Sequence, residues 1–185
     1  MATTIGAYEL ATAGIDKLTY EPQRAVHFIF SCPELDELLP QGNERLRLSV
    51  DSSSIPFMHQ EVMTIKRGGT EIHFAGSMQF DTHTVRIIDY IGLDSAGALV
   101  EWQKLSGDIK TQKIGLARDY KKTAYLTLYD PAFNVVRGWT LKGCWISSLK
   151  ETDVNMESGG AAKMTIDAVI TFDNAEPNDG VSESK

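Results

Sequence analysis

The sequence of 185 residues is poor in the residues that build metal sites and disulfide frameworks. It has two cysteines, Cys32 and Cys144, and four histidines. Two cysteines make no disulfide framework, and they fit folding in a reducing cytoplasm. Basic residues are also in deficit, with 18 lysines and arginines against 25 acids and a formal net charge of −7. This balance argues against a protein that grips nucleic acid, because such proteins normally carry a basic patch.

Long hydrophobic runs are missing as well. No stretch approaches the roughly 20 apolar residues of a membrane-spanning helix. The first ten residues, M-A-T-T-I-G-A-Y-E-L, contain neither the basic region nor the apolar run of a signal peptide. We therefore expect no membrane span and no export signal. Hydrophobic residues make up 42% of the chain and charged residues 23%, which are ordinary values and favour one domain with one buried core.

Reaction centres are equally hard to find. The four histidines, at positions 27, 59, 73 and 83, lack the spacing of zinc ligands. His73 and His83 could approach each other across neighbouring strands, but two solvated histidines are the simpler interpretation. Asp81 and His83 could belong to a catalytic triad, yet no nucleophile motif accompanies them. We expect no catalytic residue, no metal and no cofactor.

Alternating apolar and polar residues predict about eight β-strands. The Gly68-Gly69 pair predicts a tight hairpin turn between two of them, because glycine adopts positive φ readily. Strands rarely alternate with helices, so we predict a mainly β fold, an antiparallel β-barrel or sandwich with one flanking α-helix. The predicted strands cover residues 24–30, 45–50, 61–67, 70–76, 82–90, 123–129, 135–146 and 162–172.

The flanking helix is predicted over residues 94–106. Asp94 is the expected N-cap, and Leu99 and Trp102 lie on one helical face. Gly107 stands where a left-handed residue commonly ends a helix.

Three regions follow from these elements. Residues 1–23 are predicted to be an N-terminal arm, residues 24–173 the folded domain, and residues 174–185 a flexible acidic tail. The basic run from Lys104 to Lys122 contains Tyr120 as its only aromatic residue. It therefore fits a solvated face or a protein-binding patch better than a nucleic-acid site.

Two features have no explanation in an isolated subunit. The loop at residues 52–60 has the apolar sequence Ile-Pro-Phe at its tip. The predicted strand at 82–90 also carries Ile88 and Tyr90 on the face opposite its core-facing residues. Apolar groups in such places indicate contact with a partner. The sequence therefore favours a self-assembling structural subunit.

The order of several short motifs resembles the tail tube protein family of contractile-tailed bacteriophages. The resemblance covers about residues 22–173. Trp145 departs from it, because a proline is frequent there, and Gly159-Gly160 lengthens one loop. The matching motifs are Pro22-x-Arg24, Ser53-Ser54-Ile55-Pro56, Gly76-Ser77-x-x-Phe80, Glu101-Trp102, Leu128-Tyr129-Asp130, Val135-Val136, Leu141, Gly143, Ile146-Ser147 and Asp153.

The resemblance implies six-membered rings that stack into a hollow tube inside a sheath. Each subunit's sheet would continue into those of its neighbours. The implied partners are further copies of the chain, the tail sheath protein, the baseplate and tail terminator proteins, and the tape measure protein. DNA would pass through the lumen without specific binding. The implied location is the virion tail, after assembly in the host cytoplasm.

Three contact surfaces are implied as well. One is a ring-stacking loop, one an inter-subunit strand, and one the sheath-facing side of the outer helix. The residues are Ser53, Ser54, Ile55, Pro56, Phe57 and Met58 for the loop, Ile88 and Tyr90 for the strand, and Ser95, Glu101 and Lys104 for the helix.

Two alternatives remain open. The first is the tube of a type VI secretion system or a phage-tail-like bacteriocin, which carries no DNA. The second, from another class, is a monomeric β-sandwich binding module that forms no rings. A disulfide between subunits through Cys32 or Cys144 is also left open.

Overall fold

A computed structural model describes residues 23–153 and 163–178. The arm predicted at 1–23 lies outside these residues except for Gln23, as does the glycine pair at 159–160. Within the described ranges, no helix combines the length and the apolar character that crossing a membrane requires.

The described chain contains eleven strands, three α-helices and one short 3-10 helix. The strands are β1 (Phe28–Ser31), β2 (Val50–Ser53), β3 (Met58–Arg67), β4 (Thr70–Phe80), β5 (His83–Ile88), β6 (Gly107–Asp108), β7 (Lys113–Ile114), β8 (Lys122–Tyr129), β9 (Val135–Glu151), β10 (Thr165–Thr171) and β11 (Asn174–Asn178). The helices are α1 (Gly42–Ser49), α2 (Ser95–Ser106) and α3 (Ala117–Tyr120), and the 3-10 helix is Pro33–Glu37.

Seven strands form the main sheet, in the order β1-β8-β9-β10-β5-β2, with β11 also paired to β9. All of these pairs are antiparallel. Strand β9 has 17 residues. Its first part pairs with β8 and β11 and its second part with β10, so it belongs to both halves of the sheet. The predicted mainly β, antiparallel fold is confirmed. The strand order is open, which favours the sandwich over the closed barrel.

The hydrophobic core consists of side chains from both halves of the sheet and from α2. Trp102 is its largest fully buried side chain. The indole Nε1 of Trp102 donates a hydrogen bond to the Tyr120 carbonyl at 2.9 Å, so its polar atom is satisfied. Each large apolar side chain buried here contributes about 1.5–3 kcal/mol. The other core residues include Phe30, Leu126 and Leu141 from one half, and Val85, Ile87, Ile166 and Ile170 from the other.

The strand predicted at 45–50 is wrong, because Gly42–Ser49 forms helix α1. Its buried residues are Gly42, Leu46 and Ser49, which follow the helical period, whereas Leu48 is exposed. The alternating leucines and arginines satisfy a strand pattern, but these residues are also good helix formers. Packing decides between the two, since Leu46 and Ser49, three residues apart, are both buried in the fold.

The long helix α2 is confirmed, but its ends differ from the prediction. Asp94 occupies the N-cap position with a φ of 51° and makes no capping hydrogen bond through its side chain. Its carboxylate instead lies 3.8 Å from the Arg45 guanidinium. Gly107 ends the helix in an extended conformation and not in the left-handed one.

The ordered sheet continues beyond the predicted end of the domain at residue 173. Asn174–Asn178 forms β11, which pairs with β9. Pro177 interrupts the polar sequence without preventing a strand, because β11 is an edge strand and proline is tolerated there. The flexible tail predicted at 174–185 is therefore wrong for its first five residues, and residues 179–185 lie outside the described chain.

Candidate assembly surface

Strands β3 and β4 form a hairpin that makes a separate two-stranded sheet. Its turn contains Gly68, whose φ of +60° confirms the predicted glycine turn. Pairing extends beyond the predicted residues, from Arg67 with Thr70 at the turn to Met58 with Phe80 at the base. Every residue of β3 is exposed. A hairpin of this kind is at best marginally stable in water unless it packs against another surface.

The two faces of this hairpin differ in chemistry. On one face, the Thr64 hydroxyl and His73 Nδ1 lie 3.1 Å apart, and Lys66 pairs with Glu71 at 2.9 Å. The other face is apolar, with Met63 beside Phe74 and Ile65 beside Ile72. We call these four residues the hairpin face; their exposed fractions are 53%, 46%, 43% and 40%, respectively.

The hairpin face was missed in the sequence, although a signal for it exists. The residues occupy alternate positions on either side of the Gly68-Gly69 turn, so their side chains share one face. Alternation alone does not indicate that the subunit leaves these side chains uncovered. Their exposure in the subunit makes this face the strongest candidate for contact with another chain.

At the base of the hairpin, His83 holds the segment that leads into β3. Its Nε2 lies 2.9 Å from the Ser53 hydroxyl and its Nδ1 3.3 Å from the Ser54 hydroxyl. Ser54 also accepts a hydrogen bond from the Thr84 amide. The imidazole stacks on Phe30 with a centroid distance of 5.4 Å. The serines assigned to the ring-stacking loop are therefore engaged within the subunit.

Burial shapes the chemistry of His83. Loss of solvent lowers the pKa of its imidazole to about 4 from an ordinary value of 6.5. The expectation that His83 is solvated is wrong. Its core-facing position has a sequence signal, because His83, Val85 and Ile87 alternate on one face of β5.

A catalytic triad does not form around His83. Asp81 lies 3.1 Å from His59 Nδ1 and not at the His83 ring. His73 is at the hairpin, paired with Thr64, and His83 is in the core. Among residues 23–153 and 163–178, no group of three or more histidines, cysteines or acids has a metal-binding arrangement.

The remaining residues of the predicted ring-stacking loop divide between the core and the surface. Pro56 is buried and Ile55 is half-buried. Phe57 and Met58 are 68% and 58% exposed. The outward apolar part of this loop is therefore Phe57-Met58, where the chain enters β3.

The predicted inter-subunit strand is an interior strand of the subunit. β5 pairs with β10 on one side and β2 on the other, so its backbone has no free edge along Val85–Ile87. Ile88 is half-buried, and Tyr90 lies just beyond the strand with 45% exposure. A neighbouring subunit could therefore contact Ile88 and Tyr90 only through their side chains.

The outward face of β5 carries a bidentate ion pair. Arg86 donates two hydrogen bonds to the Asp167 carboxylate of β10, at 2.6 and 2.9 Å. This guanidinium holds the pKa of Asp167 below its usual value. Lys163 pairs with Asp51 on the same half of the sheet at 2.8 Å.

Of the three residues assigned to the outer side of α2, Ser95 is misassigned. It is buried, and its hydroxyl bonds to the Ser49 hydroxyl at the contact between α2 and α1. The first turn of α2 therefore faces inward. Glu101 and Lys104 are exposed and form an ion pair with each other, so they belong to the outer side of the helix.

Most of the basic run after α2 is exposed, but its last residue, Lys122, is buried, with its ammonium 3.6 Å from the Glu37 carboxylate. The run includes the short β6–β7 hairpin, where Ile109 and Ile114 are also exposed. Lys121 is engaged by the Asp173 carboxylate at 2.6 and 2.8 Å.

Both cysteines are free and fully buried. Burial raises the pKa of the Cys144 thiol to about 12 and raises that of Cys32 as well. These buried, protonated thiols argue against a disulfide between folded subunits.

Comparison with known proteins identifies the family. Residues 24–171 match the family model described as T4-like virus tail tube protein gp19. The chain belongs to this tail tube family. A tail tube protein of Serratia phage KSP90 is 25% identical over 92 residues, which are 49% of this chain and 52% of that protein. The chain thus spans about half the length of this curated relative. The family is one of structural proteins and not of enzymes.

Solved structures show the same fold at low sequence identity. One is the sheath-tube complex of an extracellular contractile injection system, PVC, in its extended state; it has a TM-score of 0.60 at 16% identity and covers 95% of this chain and 99% of that chain. Another is the tube-terminating cap of the anti-feeding prophage, with a TM-score of 0.61 at 16% identity, over 86% and 93% of the two chains. The resemblance found in the sequence is confirmed.

Proposed function

We propose that this tail tube protein is the tube subunit of a contractile phage tail. Six copies form a ring, and rings stack into a hollow tube that conducts DNA into the host cell. The observation that carries the proposal is the hairpin face, an apolar surface on an arm that the subunit leaves uncovered.

A second copy of the chain is the natural occupant of this face. Burying the four side chains against a neighbour removes apolar area from water and stabilises the hairpin at the same time. The polar face, with its Lys66–Glu71 pair, stays in contact with solvent or the next layer. Assembly thus supplies the packing partner that the hairpin lacks in a single subunit.

The other contacts follow from the exposed residues of the predicted surfaces. Phe57 and Met58 contact the next ring, and the side chains of Ile88 and Tyr90 contact a subunit of the same ring. Glu101 and Lys104 face the sheath protein. The baseplate, tail terminator and tape measure proteins are the remaining proposed partners. The protein becomes part of the virion tail after assembly in the host cytoplasm.

The charge of the subunit suits a conduit for DNA. The formal charge is −7 per chain, so a ring of six carries −42. Where this charge faces the lumen it repels the phosphate backbone, and DNA passes without sticking.

The direct test is the assembly state of the purified protein. Light scattering should give a particle of six times the 20.4 kDa chain mass, or a multiple of it. Negative-stain images should show six-fold rings and, at high concentration, tubes. A protein that remains monomeric at all concentrations would contradict self-assembly and favour a monomeric β-sandwich binding module.

A tube without DNA is the second candidate, since solved structures with this fold come from contractile injection systems. Particles purified from producing cells separate the two. Nuclease-protected DNA in heads attached to the tails supports the phage tail. Headless, DNA-free particles support an injection system or bacteriocin.

A further inference from the structure

A turn with an apolar tip lies immediately before α2. The amide of Leu93 donates a hydrogen bond to the Tyr90 carbonyl at 3.2 Å, and Gly92 adopts a φ of +90°, which glycine reaches without steric cost. This geometry places Ile91 at the tip, where its side chain is fully exposed, with Tyr90 beside it at 45% exposure. We call residues 90–93 the knob. Two apolar side chains on such a turn indicate contact with a partner.

A concave site lies at the other end of α2. It has a volume of about 610 Å³, and we call it the α2 pocket. Val100 and Gln103 line it from the helix, and Ile109 and Lys110 line it from the turn between β6 and β7. Ile109 is 94% exposed, so the apolar wall that it supplies is uncovered in the subunit. A site of this size accommodates a few apolar side chains.

The surroundings of the knob are acidic. Residues 89–94 contain Asp89 and Asp94 and no base. Among residues 23–153 and 163–178, Asp89 forms no salt bridge. Asp94 lies 3.8 Å from the Arg45 guanidinium, but its side chain is 66% exposed, and an exposed pair of this kind is weak. The knob therefore presents net negative charge.

The end of α2 that holds the pocket is basic. Residues 107–114 contain Lys110 and Lys113 against the single acid Asp108. Neither lysine forms a salt bridge within the described parts of the chain. The Asp108 carboxylate accepts a hydrogen bond from the Thr111 hydroxyl at 2.7 Å, so it is engaged within its own turn. The pocket thus suits an occupant that is apolar and acidic.

We propose that the knob of one copy of the chain inserts into the α2 pocket of the next copy. The 12 residues of α2 separate the two sites by about 18 Å, at a rise of 1.5 Å per residue, so the knob cannot reach the pocket of its own subunit. In the contact between copies, Ile91 and Tyr90 fill the pocket. The opposite charges around them favour this pairing over others.

Such a contact joins copies head to tail. A ring of more than two subunits requires two different surfaces on each chain, because a surface that meets only itself produces a dimer. The knob and the α2 pocket provide a pair of this kind at the two ends of one helix. The inference rests on the proposed ring, and it assigns the surface that Tyr90 contacts on the neighbouring subunit.

The tip of the β3–β4 hairpin is a competing occupant from a second copy, and its charge disfavours it. Residues 66–71 contain two bases, Lys66 and Arg67, and one acid, Glu71. This net positive charge would meet lysines of the same sign at the α2 pocket, whereas the knob meets them with the opposite sign.

Thiol cross-linking between two variants tests the contact. Ile91→Cys and Gln103→Cys are purified separately, one with an extra affinity tag, then mixed and treated with a short bis-maleimide. The native cysteines do not compete, because Cys32 and Cys144 are fully buried. We expect mixed dimers in large excess over both homodimers, since the knob of one chain meets the pocket of another. The tag separates the three products by mass.

Val26→Cys is the matched control for the knob variant, since Val26 is also exposed and precedes β1. Mixed with Gln103→Cys, it should give dimers only in the proportions of random encounter. Random proportions from Ile91→Cys as well, or no dimers, would overturn the proposal and leave the pocket to a different protein. If the wild type still formed rings, the proposed function would stand without this contact.

Charge exchange adds a test in the assembled protein. Asp89→Lys and Lys110→Glu should each raise the concentration needed for rings several-fold, measured by light scattering. The double variant should recover assembly, because the reversed knob then meets a reversed pocket. Singles that assemble like the wild type, or a double variant that is no better than either single, would contradict the contact. A wild type that stays monomeric would instead contradict the proposed ring itself.

Discussion

The imidazole Nε2 of His83 lies 2.9 Å from the hydroxyl oxygen of Ser53. This contact joins the interior strand β5 to the last residue of β2, just before the loop that contains the buried Pro56. The direction in which the chain leaves the sheet toward the hairpin therefore depends on a histidine that remains neutral.

Protonation of His83 should reduce the stability of the subunit in mild acid. Its pKa is about 4 in the folded protein and 6.5 ordinarily. The contribution of neutral His83 to the stability of the subunit is fully present above pH 6.5. As the pH falls from 6.5 to 4, the unfolded chain binds a proton that the folded chain does not. The free energy of unfolding should then fall by about 3 kcal/mol in total.

Urea unfolding between pH 4 and 7 measures this effect in the wild type and in His83→Gln. The variant should be less stable at pH 7 and show a flatter pH dependence, because the carboxylates are common to both proteins. If the free energy of unfolding fell equally steeply with pH in the two proteins, His83 would not be the group responsible.

Charges placed on the hairpin face should block assembly and spare the fold. Ile65→Asp and Phe74→Asp alter exposed residues. Each should therefore change the free energy of unfolding of the subunit by no more than about 0.5 kcal/mol. In the assembled protein the same charges would be buried without partners, which is costly. Sedimentation velocity should show monomers only.

Thr64→Asp is the matched control, on the polar face of the same hairpin. It should retain rings. If Ile65→Asp also assembled normally, the hairpin face would not be an assembly surface.

Phe57→Asp should separate ring formation from ring stacking. Phe57 is 68% exposed, so the subunit should fold and form rings that do not stack into tubes. Ile55→Asp should instead destabilise the subunit itself, because Ile55 is half-buried. Thermal unfolding and negative-stain images of both variants provide the measurement. Tubes of normal length from Phe57→Asp would exclude this residue from stacking.

Gly143→Ala should destabilise the fold. Gly143 has a φ of +70°, and an added Cβ would lie 2.2 Å from the Asp173 carboxylate, which is bonded to Lys121. Strain and displacement of this ion pair together should cost about 1–3 kcal/mol. Gly69→Ala is the control, since a Cβ added there would have no atom within 4 Å. Chemical denaturation should show a lower free energy of unfolding for Gly143→Ala and no such loss for Gly69→Ala.

Local patterns were sufficient to predict several elements of the fold. Alternation located β8, β9 and β10, and the glycine pair located the turn between β3 and β4. These predictions succeeded because each strand has one face in the core, and the pattern records that burial directly.

The errors arose where contacts distant in sequence decide the structure. Residues 45–50 alternate like a strand in the sequence, and only the burial of Leu46 and Ser49 in the fold shows the helical period. From the sequence, Ser95 resembles a surface residue of α2. In the fold, α1 packs over it. The hairpin face is the opposite case, because its apolar pattern suggests a core strand but the subunit provides no core for it.

Strand β10 has a consequence for the order in which the protein is made. It lies between β9 and β5, and in the described strand order it joins the half containing β8 to the half containing β2. During synthesis, residues 165–171 leave the ribosome after β1, β2, β5, β8 and β9. The nascent chain therefore cannot close the core between the two halves until β10 has emerged.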